Sequence, residues 1–180
     1  NKSGSSTYNN ALMAQGMLRE ERPEHHLKIH LLDPHTYSMV FGWYLCEMAR
    51  KLKNGAEISH VIHEFEAQMD KIEIVLGPFS LKQMKKSGRI SAAAAFAGEL
   101  LGLRPIISLN DGVSSVKSKV RGDGAVIPAM IKYVKSRVEN VQELEYQVAY
   151  TDGERVNELV KQCKKEFGHP PVNVFQLGCV

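Results

Sequence analysis

Two hydrophobic periodicities alternate along this chain, and their alternation restricts it to an α/β architecture. From Thr36 to Leu52, the residues Val40, Trp43, Tyr44, Met48 and Leu52 recur at helical spacing, with Asn54-Gly55 as the stop signal. Ile58, Val61, Ile62, Phe65 and Met69 mark a second helix, and Ile72 to Gly77 reads as a strand. Upstream, Ala11, Leu12, Ala14, Met17 and Leu18 predict a helix broken at Pro23, followed by a strand over Leu27–Leu32 that ends at Asp33-Pro34. Strand, helix, helix, strand at this spacing predicts a partly parallel sheet. A second, smaller set follows. Val113 to Val120 alternates like a hairpin or half-buried strand, a helix runs from about Gly124 to Val138 with Pro128 in its first turn or at a kink, and Leu144–Tyr150, Glu154–Phe167 and Val172–Leu177 read as strand, helix and strand.

Between the two sets lies Ser80 to Gly122. A polar, basic piece from Ser80 to Lys86 turns at Ser87-Gly88-Arg89-Ile90, and an Ala-rich helix (Ala92 to Ala95, Ala97) leads to Arg104-Pro105. Small side chains let such a helix pack closely or leave room for a flexible apolar ligand. Lys82, Lys85, Lys86, Arg89, Lys117, Lys119 and Arg121 are the one local concentration of positive charge, suited to an acidic partner or a phosphorylated ligand, although a solvated surface explains it more simply.

The composition bounds the function. An apolar fraction of 43% over 180 residues supports a real core. The net charge of +3 is too small to make nucleic acid an expected partner. Cys46, Cys163 and Cys179 are far apart and lack metal-ligand spacing, so they read as thiols of a reducing compartment. No run is long and apolar enough for a membrane span, and no signal peptide is recognisable. The chain opens at Asn1 without an initiator Met and stops just after a strand pattern, so it is expected to be part of a longer protein.

Short catalytic signatures are absent: there is no phosphate-binding P-loop, dinucleotide fingerprint, nucleophile elbow or zinc-protease helix. His26 and His30 share one side of the expected strand, with His35 or Asp33 as a third ligand, but surface positions explain them more simply. His60 and His63 are likewise expected at the surface of a helix. Ser5, Ser6 and Thr7 precede the first helix, where a hydroxyl caps free N–H groups or the turn receives an anion.

Taken in order, Ser3-Gly4-Ser5-Ser6-Thr7-Tyr8, Leu32-Asp33, Leu81 to Ser91, Leu100 to Ile107, Asp111-Gly112 and Lys119-Val120-Arg121-Gly122 resemble the DegV family of bacterial fatty-acid-binding proteins along essentially the whole chain. The resemblance implies a two-lobed α/β fold with a partly parallel sheet in the first lobe and a mixed sheet in a smaller one. Its parts would be 1–78, a helical junction 79–103, and 104–180. It implies a cytoplasmic carrier that binds a long-chain fatty acid between its lobes and presents the carboxylate to a separate fatty acid kinase. The acyl phosphate then feeds phospholipid synthesis. No catalysis of its own, no cofactor, no metal and no stable membrane insertion are expected. Ser3, Ser5, Ser6 and Thr7 are the implied ligand-binding residues, with Ser5 aligned to the family's serine and Ser6 standing where a glycine is usual. Arg89 and Arg121 carry over as kinase- or phosphate-facing residues, with Ser87 replacing a common glycine. The family's first strands and its histidine-bearing C-terminal segment have no counterpart here, so this piece alone is expected to bind lipid weakly or not at all. The rival readings are a kinase-related enzyme acting on a small hydroxylated substrate and a protein interaction module that binds no lipid.

Overall fold

Apolar residues spaced three and four apart mark the helices of the computed structural model, although the first, over Thr7–Glu21, buries none of its own. The structure describes residues 2, 5–80, 86, 102–151 and 153–178. Helices α1 (Thr7–Glu21), α2 (Met39–Lys53) and α3 (Ile58–Met69) come first, followed by strands β1 (Ile74–Leu76), β2 (Leu103–Asn110) and β3 (Val113–Arg121). A 3-10 turn (Asp123–Ala125) then leads into α4 (Val126–Lys135), β4 (Gln147–Tyr150), α5 (Val156–Phe167) and β5 (Asn173–Gln176). The α/β class is that expected from the sequence.

The chain divides into two compact units. One comprises Asn1–Ile74 with Leu109–Val113, and the other Val75–Ser108 with Ser114–Val180. In the first, α3 buries Val61, Phe65 and Met69, and its N-cap Glu57 accepts the His60 N–H at 3.0 Å. Lys51 of α2 reaches Glu64 of α3 at 2.6 Å, tying the two helices at their exposed sides. The strand expected over Leu27–Leu32 does not form: these residues are irregular, and Leu27 is 70% exposed. A strand needs a ladder partner for its backbone groups, and here the Ile29 and Leu31 carbonyls instead accept from Gln15 Nε2 (2.8 Å) and the Tyr8 hydroxyl (3.5 Å) of α1.

β1, β2 and β3 form one sheet in that order. β2 is central, and Pro105, Ile106, Ile107 and Ser108 are buried on both of its faces. Asp111 and Gly112 both have positive φ, which makes the two-residue turn that joins β2 to β3. In the second unit, Ile127 and Ile131 of α4 pack on Cys163 and Phe167 of α5. Tyr146 meets Phe167 edge-on at 5.0 Å and donates to the His169 carbonyl at 2.8 Å. Pro128 is the third residue of α4, where its missing N–H costs no helical bond. α5 ends at Gly168 with φ of +86°, a left-handed cap that a glycine adopts without strain. β4 and β5 pair in parallel, with Gln147 opposite Asn173.

Candidate functional site

The serine-rich turn sits at the N-terminus of α1. Ser6 is the N-cap residue but makes no side-chain cap bond; Ser5 takes the role, its Oγ accepting the Thr7 N–H at 3.2 Å and lying 2.7 Å from Thr7 Oγ1. Ser5, Ser6 and Thr7 are all exposed, and the first turn of α1 carries no acidic residue. The turn therefore presents hydroxyls at the positive end of a 15-residue helix with no anion of that turn to compete. Ser3 lies outside the described residues.

Close to this turn in sequence and space, Lys2 donates its backbone N–H to Asp33 Oδ2 at 3.0 Å, and His35 donates its own to Oδ1 at 3.1 Å. Burial pushes the Asp33 carboxyl up, but these two N–H groups together with nearby positive charge outweigh it and hold it below the usual range. His35, with a φ of +51°, faces three carboxylates: Asp111 Oδ1 at 3.3 Å, Asp70 Oδ1 at 3.8 Å and Asp33 Oδ2 at 3.9 Å. The Tyr37 hydroxyl donates to the Gly112 carbonyl at 3.1 Å, so the β2–β3 turn is held by the 35–37 segment. Among the described residues, no group of His, Cys, Asp and Glu side chains is arranged to hold a metal ion. His25, His26, His30, His60 and His63 are exposed.

The second cluster belongs to the other unit. Arg121 closes β3 and is exposed; Arg89 lies outside the described residues. Next to Arg121, Gly122 has φ 78° and ψ 155° and donates its N–H to the Gly102 carbonyl at 2.8 Å. Asp123 then accepts from two guanidiniums, Arg104 Nε at 2.8 Å and an Arg155 terminal nitrogen at 3.2 Å. Arg155 also stands 4.3 Å over the Phe79 ring. Lys117, Lys119 and Arg121 alternate along β3 and are all exposed, so one face of the strand carries a row of cations. The grooves along α5 (about 400 Å³) and between α4 and α5 (about 380 Å³) contain none of the predicted site residues.

Sequence reading missed the Arg104–Asp123–Arg155 node. The one available signal was an acidic residue just before a helix, a position that favours Asp. Nothing in the sequence announces the two arginines that converge on it.

A family model described as an uncharacterised protein of the DegV family matches residues 2–180. A DegV domain-containing protein of Clostridium perfringens is 29% identical over 163 residues, spanning 90% of this chain and 57% of its own length. Among solved structures, a stearic acid-binding protein of Eubacterium ventriosum superposes with a TM-score of 0.81 at 22% identity, over 94% of this chain and 58% of that one. The Fatty Acid Kinase B3 protein of Streptococcus pneumoniae, loaded with linoleic acid, superposes at 0.77 and 16% identity, over 98% of this chain and 62% of that one. At these identities the structural likeness is one of fold. The chain thus spans between half and two thirds of the length of these three similar proteins.

Proposed function

The chain belongs to the DegV family, and from that premise we propose that it serves to hold a long-chain fatty acid and to present the carboxylate to a separate fatty acid kinase, performing no chemistry itself. The carrying observation is the exposed Ser5–Thr7 hydroxyl pair at the start of α1, in a fold shared with proteins that hold stearic and linoleic acid. Hydrogen bonds to a charged group contribute about 1.5–3 kcal/mol, and each CH2 that the acyl chain buries adds about 0.8 kcal/mol. In this reading Ser5 is the principal carboxylate ligand, with Ser3, Ser6 and Thr7 as its neighbours. Arg89 and Arg121 face the kinase or the developing phosphate, and acyl phosphate formation in the cytoplasm supplies phospholipid synthesis. The alternation of Lys117, Lys119 and Arg121 supports an anionic partner at that face.

The test is equilibrium binding of a fluorescent long-chain fatty acid to the full-length wild-type protein and to its Ser5→Ala/Thr7→Val variant. Saturable binding that weakens about tenfold in the variant, equivalent to about 1.4 kcal/mol, is the expected result. Equal affinity in both proteins removes the hydroxyl pair from the site. Acyl phosphate formation with purified fatty acid kinase tests the second half, and Arg121→Ala is expected to raise the KM for this protein.

A further inference from the structure

The Arg104–Asp123–Arg155 node lies at the junction of four elements of one unit. Arg104 is the second residue of β2, Asp123 opens the turn into α4, and Arg155 is the N-cap of α5. Through its guanidinium, Arg155 also covers Phe79, just beyond β1. One carboxylate oxygen serves each arginine, Oδ1 for Arg104 and Oδ2 for Arg155, so the two cations share a single anion and Asp123 has little freedom to rotate. Two residues upstream stands Arg121.

The chain between Arg121 and Asp123 has few alternatives. Gly122 occupies a backbone region that other residues rarely enter, and its N–H is tied to Gly102 at 2.8 Å. β3 fixes the Arg121 backbone from one side, and the Gly122 bond and the Asp123 ion pairs fix it from the other. The direction in which Arg121 leaves the sheet is therefore set by groups that need not touch anything Arg121 touches.

We propose that Asp123 is the positioning residue for Arg121, clamping the turn that presents this guanidinium to an anionic partner. The inference rests on the kinase-facing reading of Arg121 and deepens it. A guanidinium recognises a carboxylate or phosphate through paired N–H groups at fixed angles, so a displaced backbone costs binding even with the arginine present. Asp123→Asn keeps the size of the side chain but removes the charge that both arginines share, whereas Asp123→Glu keeps the charge on a longer arm.

The experiment compares wild type, Asp123→Asn, Asp123→Glu and Arg121→Ala. Acyl phosphate formation is followed with purified fatty acid kinase as the concentration of this protein is varied, alongside NMR of the arginine Nε–H groups and the backbone order parameter of Arg121. The expected result for Asp123→Asn is about a tenfold rise in KM with kcat unchanged. It should also show loss of the shifted Arg104 Nε–H signal, a lower Arg121 order parameter, and partial recovery of each in Asp123→Glu. If Arg121→Ala raises KM while a folded Asp123→Asn keeps wild-type KM and order parameter, the positioning role is overturned and the kinase-facing reading stands. If Arg121→Ala itself leaves KM unchanged, the kinase-facing reading falls and takes the proposal with it.

Discussion

Replacing Gly77 by alanine should destabilise the second unit through one identifiable clash. Gly77 follows β1, and a Cβ built on it stands 2.5 Å from Val126 Cγ1 and also overlaps Met130 Sδ, where ordinary carbon contacts lie near 3.5–4.0 Å. Met130 is an unbranched thioether that can swing aside. Val126 has no such freedom: it is the first residue of α4, fully buried at 0% exposure, and β-branched, so one rotamer dominates in a helix. Relief must come from moving α4 or β1, at about 1–3 kcal/mol for an overpacked core. For a chain of this length each kcal/mol lowers Tm by roughly 2–4 °C. Hydrogen exchange at individual α4 amides reads the effect locally, which suits a chain of two units. The sharper assay is a cycle with Val126→Ala, which deletes the clashing methyl: the double variant should cost less than the sum of the singles by about 1–2 kcal/mol. Unchanged α4 exchange in Gly77→Ala, or strict additivity in the cycle, would mean that Val126 does not crowd position 77.

Other outcomes follow from single contacts. Tyr37→Phe removes the donor to the Gly112 carbonyl and should cost about 0.5–1.5 kcal/mol, seen as faster amide exchange around the Asp111-Gly112 turn while the α4 amides stay unchanged. Burial first, and Cys163 second, push the Tyr146 phenol up to about 12, above its ordinary value of 10.0. Its folded form keeps the proton longer than the unfolded one, so this contribution to stability is complete below pH 10 and is lost as pH rises toward 12; denaturant unfolding across that window, compared with Tyr146→Phe, checks the sign. Burial pushes the Cys163 thiol up to about 11, whereas Cys46 is exposed on α2. A thiol reagent at neutral pH should therefore label Cys46 well ahead of Cys163, and labelling at equal rates would contradict the packing of α4 on α5.

Much of this fold is legible in the sequence because the helices after α1 are amphipathic and punctuated. The apolar spacing from Ile58 to Met69 gives α3 its observed bounds, and Pro128 falls in the first turn of α4, as proline requires. The helix expected over Glu154–Phe167 forms as α5 and buries Cys163 and Phe167. Leu27–Leu32 reads as a strand by composition, yet a strand exists only with a partner, and no local pattern reports whether one is present. The Asp111-Gly112 pair is a recognisable hairpin turn, but what it approaches, His35 and the Tyr37 hydroxyl, is set by tertiary packing across more than seventy positions. The same holds at the Arg121 end of β3. Arg121 is visible as an arginine in a glycine-terminated strand, whereas the node two residues beyond it draws Arg104, Asp123 and Arg155 from distant parts of the chain. Sequence pattern reaches elements and caps; it does not reach convergence of side chains.

The central claim is that this protein holds a fatty acid, and native mass spectrometry of the protein as isolated from its own cell tests it most directly. The expected spectrum shows a mass increment matching one long-chain fatty acid per polypeptide, replaced stoichiometrically when oleate is added, and depleted in Ser5→Ala/Thr7→Val. A bare polypeptide mass that stays bare after exposure to stearate, oleate and linoleate would contradict it.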